Sequence, residues 1–380
     1  MTEPTAGLPP LVAAHPDNPS VMIDVHGAHV AGPGSLRQPG VMQQRVYDPG
    51  RTVEHPGSEV HFPPINNGLD YLISVVEHLE AGDERVSARD LKYAVLHLAA
   101  GAEVLLKARL QHEHWSLVFK DPARALRDEL VKGTLLSCSP EETVTRLRNI
   151  ARVPIDAGDA AALKKLAEHR NALQHYGLIG ESANARAVES KAAEVLDFLI
   201  RFLDEQLLPT LGRDAREALD VDMERIRGGL LQIRSFVKKR LQRLQGVLSE
   251  HRELTVECSN CGQWTHLVRP DPDERALLVS SCLLCGAQML SDSAAVCYAA
   301  TILGLDPWPL DGSAPATEKC PACGGSDTLV RGVRTLADPE RPVAFCFQCP
   351  GEVRELPELR APATDLAHPQ ASATPGQEGV

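Results

Sequence analysis

Eight of the ten cysteines stand in four Cys-x-x-Cys pairs, all beyond residue 257, and only Cys138 and Cys297 stand apart. Cys258 and Cys261 are followed, after twenty intervening residues, by Cys282 and Cys285; Cys320 and Cys323 are followed, after twenty-two, by Cys346 and Cys349. Clustering of this kind in a reducing compartment reads as metal binding rather than as disulfides. Two residues between cysteines let both thiolates turn towards one ion, and a spacer of about twenty makes a β-hairpin that carries the second pair opposite the first. Four thiolates in a tetrahedron suit Zn²⁺ at a Zn–S distance of about 2.3 Å. Gly262, Gly286 and Gly324 follow three of the pairs, where the tight turn calls for a residue that tolerates positive φ; Pro350 and Gly351 follow the fourth. Neither set has a histidine or an open position, so each site is closed and structural, its ion standing in for the core that so small a module cannot build. Two structural Zn²⁺ ions per chain are expected. Spacing alone does not fix the connectivity, so an exchange of pairs between the groups stays open. Trp264 and His266 beside the first knuckle either stack a base or cover the ion.

A second constellation lies upstream. Residues Ala161 to Tyr176 read as a helix with Leu163 and Leu166 on its inner face, and seven residues on from these the same face reaches Arg170 and Leu173. A guanidinium thus occupies a position where the pattern asks for an apolar side chain, and a buried charge needs a partner. Asn171 and His175, at i and i+4, share a side of the helix next to it. Arg170 and His175 are about 140° apart on an ideal helix, so they address one point only at a groove or a bend. Two readings follow: an arginine paired with a carboxylate and a histidine at the edge, or a phosphate-facing pair in which arginine supplies charge and histidine moves protons.

The segment Arg170-Asn171-Ala172-Leu173-Gln174-His175 resembles the R-x4-6-H motif of the HEPN (higher eukaryote and prokaryote nucleotide-binding) superfamily, including the polar residue directly after the arginine. The run Leu91 to Leu110, with Ala99 to Lys107 at its centre, is similar to the long first helices of that family, and the likeness covers roughly residues 66–210. The resemblance implies an up-and-down helical bundle that dimerises and brings two such motifs into one cleft. It further implies metal-independent cleavage of RNA, with Arg170 stabilising the phosphate, His175 as general acid or base, Asn171 orienting the pair and a 2′,3′-cyclic phosphate as product. A role as a toxin or defence effector with an inhibitory partner protein belongs to the same expectation. Toxins of the HEPN–nucleotidyltransferase pairs carry tyrosine two places after the histidine as an AMP acceptor. Here Gly177 holds that place and Tyr176 comes one early, so control by tyrosine AMPylation is not implied. The alternative is a non-catalytic nucleotide- or RNA-binding module, or a protein-interaction scaffold, with structural zinc.

The chain carries a net charge of −12, which excludes general polyanion binding, so contact with nucleic acid must come from a local patch. Residues 225–243 supply one: Arg225, Arg227, Arg234, Lys238, Lys239, Arg240 and Arg243, with no acid among them. Phosphates are their natural partner, with steep salt dependence; a solvated helix face balanced by the acids of 214–224 is the other reading. Ile226, Leu230, Ile233, Val237, Leu241 and Leu244 keep an apolar stripe through the same run, which must pack on something, a second copy of the chain included.

These residues need a scaffold, and 380 residues with 43% apolar and 24% charged side chains suffice for more than one domain. Aromatics at 4% argue against an aromatic-rich barrel. The expected class is mainly α, a helical bundle followed by two small β-hairpin zinc ribbons. The boundaries read as a Pro/Gly-rich arm (1–64), the HEPN-like bundle (65–212), a basic connecting helix (213–253), ribbon 1 (254–296), a short helix and linker (297–316), ribbon 2 (317–352) and a disordered tail (353–380). Leu91, Val95, Leu98, Ala102 and Leu105 set the beat of one long buried helix, and Val188, Ala192, Val195, Leu199 and Phe202 that of another, stopped by Pro209. Asp121-Pro122 and Ser139-Pro140-Glu141-Glu142 read as helix starts, and Gly228-Gly229 as an interruption. His15, His26, His29, His55 and His61 in the arm have no ligand-like spacing and read as loop residues. No stretch of about 18 apolar residues exists, and the N-terminus lacks an export pattern, so a cytoplasmic protein without membrane contact is expected.

Overall fold

The computed structural model describes residues 62–80, 86–269, 279–310, 312 and 314–353. The arm up to residue 61, with its histidines, and the tail from residue 354 lie outside the described residues. Helices run from residue 64 to 254, and a small antiparallel sheet follows. Helix α1 (Pro64–Leu79) turns into α2 (Ala88–Glu113), whose first turn is capped by Ser87, its hydroxyl accepting from the Asp90 amide at 3.1 Å. The chain then makes two single 3₁₀ turns (Trp115–Val118 and Pro122–Arg124) and a short α3 (Arg127–Lys132) before α4 (Pro140–Asn149), α5 (Ala157–His175) and α6 (Ala185–Phe202). Helix α2 is central and packs against α1, α4, α5 and α6. Its expected stripe is buried throughout, from Leu91 to Leu105, and so is that of α6, from Val188 to Phe202. Gly68 and Gly101 let α1 and α2 approach: a Cβ on Gly68 would stand 2.5 Å from the Leu105 side chain, and one on Gly101 would stand 3.3 Å from the Gly68 carbonyl.

The helix starts and stops follow local chemistry. Ser139 and Glu142 form a reciprocal capping box on α4. Asp121 caps only the single turn Pro122–Arg124, because the chain is drawn back at once by a bridge between Phe119 and Ser137. Past α6 the helix loosens into a π turn (Leu203–Leu207) and a 3₁₀ turn containing Pro209.

The basic stretch is part of the helical domain rather than a connector. After α7 (Arg213–Glu217), α8 (Asp220–Leu230) packs on α1, and α9 (Arg234–Glu250) on α6. Met223, Ile226, Leu230, Ile233 and Phe236 share one core with Leu69, Leu98 and Leu199. The apolar stripe is therefore satisfied within one chain. The break falls at residues 231–233, after the glycine pair; a Cβ on Gly229 would stand 2.0 Å from Val76, so this glycine serves the close approach of α8 to α1.

The sheet repeats one four-strand unit. β1 (Thr255–Val256), β2 (His266–Leu267), β3 (Val279–Cys282) and β4 (Gln288–Leu290) are followed by α10 (Ser291–Thr301), and then by β5 (Thr317–Glu318), β6 (Leu329–Thr335), β7 (Asp338–Cys346) and β8 (Gly351–Glu352). The strand order β4-β3-β2-β1-β6-β7-β8, with β5 also on β6, fuses both units into one sheet through the Val256–Thr335 pair. Helix α10 seals the junction: Ala295, Tyr298 and Ala299 pack on Val256, Val333 and Phe345. Cys297 is only half-buried there, not the core residue its apolar surroundings suggest.

Candidate functional site

Each cysteine group closes on itself, which settles the connectivity left open by the spacing. Cys258 Sγ lies 3.8 Å from Cys285 Sγ and Cys261 Sγ lies 3.7 Å from Cys282 Sγ; in the second group Cys320–Cys349 is 3.7 Å and Cys323–Cys346 is 3.8 Å. Within each group all four sulfurs fall within 4.8 Å of one another. A tetrahedron with metal–sulfur bonds of about 2.3 Å has sulfur–sulfur edges of about 3.8 Å, so both sets fit a four-thiolate ion. Backbone amides turn to the sulfurs as well: Asn260 N donates to Cys258 and Cys285 N to Cys282, each at 3.4 Å, and Gln348 N and Cys349 N to Cys346 at 3.3 Å. A threonine hydroxyl stands at the same place in each unit, Thr265 beside Cys282 and Thr328 beside Cys346. The knuckle glycines Gly262, Gly286 and Gly324 have φ of 66°, 77° and 77°.

The two aromatic candidates near the first knuckle are used internally. Trp264 packs with Leu244, Leu248 and Leu336, on α9 rather than over the sulfurs. His266 is 3% exposed, with Nε2 2.7 Å from Ser280 Oγ, and burial lowers its pKa. His266 offers no face to a base, and Trp264 is half-buried against α9.

Arg170 and Asn171 line a cleft of about 590 Å³ between α2, α4 and α5. The arginine side chain is one-third exposed, and its neighbour His169 takes the buried position, 6% exposed and with its pKa lowered by burial. Its partner comes from α2: Arg170 Nη2 donates to Glu103 Oε2 at 3.2 Å, and Nη1 to Asn171 Oδ1 at 3.1 Å. Glu103 is held in turn by Lys107 at 2.6 Å, which also donates to Ser137 Oγ at 2.9 Å. His175, the last residue of α5, is exposed beside Tyr176 and does not line the cleft. One protomer therefore brings together Arg170 and Asn171, while His175 lies outside the cleft lining. Glu103 and Lys107 were not singled out by sequence; the sole hint was two charges i, i+4 apart in a helix otherwise buried around much of its girth.

Much of the basic run is paired with acids of the same chain. Arg225 pairs with Glu77, Arg227 with Asp204 at 2.6 Å, and Lys239 with Glu194 at 3.1 Å. Arg240 Nη1 donates to Asp197 Oδ1 at 3.0 Å, and Arg243 reaches Asp159 at 2.7 Å and Asp197 at 2.8 Å. Arg201 adds a two-pronged contact to Asp159 at 3.0 and 3.1 Å. Burial opposes the charge on Arg243, but Asp159, Asp197 and Asp156 outweigh it and raise its pKa. Arg225, Arg234 and Lys238 are exposed, and Arg243 is about one-third open to solvent at 32%. Asp197 was not singled out by sequence; the signal for it was its place in the apolar run Val195-Leu196-Asp197-Phe198-Leu199-Ile200, where an acid demands a partner.

The chain matches no protein-family model, no curated protein and no solved structure. Among the described residues, no helix is long and apolar enough to cross a membrane.

Proposed function

We propose that the chain is a HEPN-type, metal-independent endoribonuclease that acts as a homodimer, its helices forming the up-and-down bundle of that family and its two four-thiolate centres holding structural Zn²⁺. Two copies of α5 meet across the cleft, so that Arg170 of one protomer and His175 of the other address one phosphodiester. Arg170 neutralises charge developing on the phosphate, and His175 takes the 2′-hydroxyl proton or returns one to the leaving 5′-oxygen, with Asn171 orienting the guanidinium. The cut leaves a 2′,3′-cyclic phosphate. RNA contact beyond the cleft falls to Arg225, Arg234 and Lys238, the members of the basic run most open to solvent, and the sheet serves substrate or partner recognition.

The observation that carries this reading is the position of Arg170. It stands at an open cleft with Asn171 beside it and an exposed histidine five residues on. A pool of RNA incubated with wild type in excess chelator should yield cyclic-phosphate ends, and His175→Ala and Arg170→Ala should each lower the rate by about 10²-fold or more. Cleavage at wild-type rate by both variants would refute it. The Glu103 ion pair favours a second reading, a non-catalytic RNA-binding scaffold in which Arg170 only ties α5 to α2. That reading gains if wild type binds RNA, cuts none, and loses stability on Arg170→Ala.

A further inference from the structure

We infer that the first four-thiolate centre is a latch on the helical domain, holding α5 and α6 through α9, and that the second centre can lose its ion without disturbing them. The first centre is built into the junction. Leu231 and Leu241 of the helical domain pack on Cys258, Leu284 and Cys285. Arg240 donates from Nε and Nη2 to the carbonyl of Leu283, which lies between Cys282 and Cys285, at 3.3 and 3.2 Å. On the other side of the same knuckle, a Cβ on Gly286 would stand 3.2 Å from Nε of Arg227, so this α8 arginine lies directly against the turn.

From Arg240 the contacts run on without a gap. Its third nitrogen binds Asp197 of α6, which is fully buried, and Asp197 shares Arg243 with Asp159 in the first turn of α5. Asp156, the N-cap of α5, receives Arg243 as well, at 3.5 Å. Three carboxylates thus balance three arginines, Arg201, Arg240 and Arg243, and one of the three is fixed by a carbonyl inside the Cys282–Cys285 knuckle, which an ion on those thiolates would hold closed. If the knuckle opens, Arg240 loses the one carbonyl that accepts two of its hydrogen bonds, and its hold on the buried Asp197 is no longer braced, a loosening that low-dielectric ion pairs tolerate poorly.

The second centre has no such attachments. Cys320 and Cys346 sit in a small cluster made wholly of sheet residues. Cys323 is exposed, as are Pro321, Ala322 and Gly324 of its knuckle. A chelator reaches it directly; the one helix against it is α10, whose Tyr298 packs on Phe347 of the knuckle, and among the described contacts none of the helices between residues 64 and 254 leans on it.

The test uses the full chain loaded with metal, read by elemental analysis and by amide hydrogen exchange. Cys349→Ser should hold one ion fewer and exchange as wild type does over residues 157–170 and 194–202. Cys285→Ser should also lose one ion, and exchange over those residues should quicken by about tenfold or more. Arg240→Met leaves all eight thiolates in place and should quicken the same amides with both ions kept; it decides alone if Cys285→Ser fails to fold or keeps its ion. Wild-type protection of α5 and α6 in Arg240→Met, or equal loosening by Cys349→Ser, would overturn the inference. Because α5 also carries Arg170 and His175, metal loss at the first centre would reach the cleft, yet exchange reads the helix and not turnover, so the result stands whether or not RNA is cut.

Discussion

Two arginines show how burial decides what an ion pair does. Arg170 and Glu103 are both partly exposed, and a pair of that kind contributes about 1 kcal/mol or less to stability. Asp197 is fully buried among arginines, and removing one partner of a buried pair costs about 3–5 kcal/mol. Urea unfolding should therefore find Glu103→Gln close to wild type and Asp197→Asn heavily destabilised; the reverse order would show that the exposed pair holds the fold. If the cleft cuts RNA, Glu103→Gln should lower kcat more than it raises KM, since it frees the guanidinium without removing it. That Arg170 and Asn171 stand side by side was legible because it is local. The partner at Glu103 was not, because it is brought from 67 positions away by packing. The same holds for Arg240 and Arg243: their charge was visible in sequence, but not the carboxylates that absorb it.

At the scale of elements, local signals with a stereochemical cause were legible and those that depend on neighbours were not. Ser139-Pro140-Glu141-Glu142 folds as its residues dictate, with a hydroxyl and a carboxylate each taking an otherwise unpaired amide. Ser139→Ala should lower stability by about 1 kcal/mol in urea melts; no change would mean that α4 is held by packing alone. Gly228-Gly229 carried the opposite lesson. Read locally it breaks a helix, but α8 runs through it to Leu230, since Gly229 is where α8 meets Val76 of α1. Gly229→Ala gains helix propensity yet must displace Val76, so a net loss of about 1–3 kcal/mol is expected. Gly228, with open space around it, should tolerate alanine and gain slightly. A pair of melts on these neighbours separates the two roles of glycine.

At the scale of the whole molecule, the cysteine spacing announced two metal units, but strands two residues long have no periodicity from which to read their fusion into one sheet. Acid response is likewise a property of the assembled chain. Burial lowers the pKa of His97 and of His169 from 6.5, so both are held neutral in the folded state. As pH falls below 6.5 the unfolded chain takes up these protons first, and stability must fall with it, until the folded pKa values are reached. Asp156 acts in a lower window. Hydrogen bonding from the Asp159 amide lowers its carboxyl from 3.8, so its contribution is complete above that value and fades only as pH drops through the folded pKa. Thermal melts between pH 7.5 and 5 should thus show a decline that begins near 6.5 and precedes any loss from the carboxylates. Replacing both histidines, His97→Gln with His169→Gln, should shrink that first decline, leaving the share that belongs to the buried His266, whose pKa burial also lowers. A melting temperature that holds level or rises between pH 6.5 and 5 in wild type would mean that these imidazoles are protonated without cost, and that the α1–α2 and α5–α6 contacts around them are looser than their burial requires.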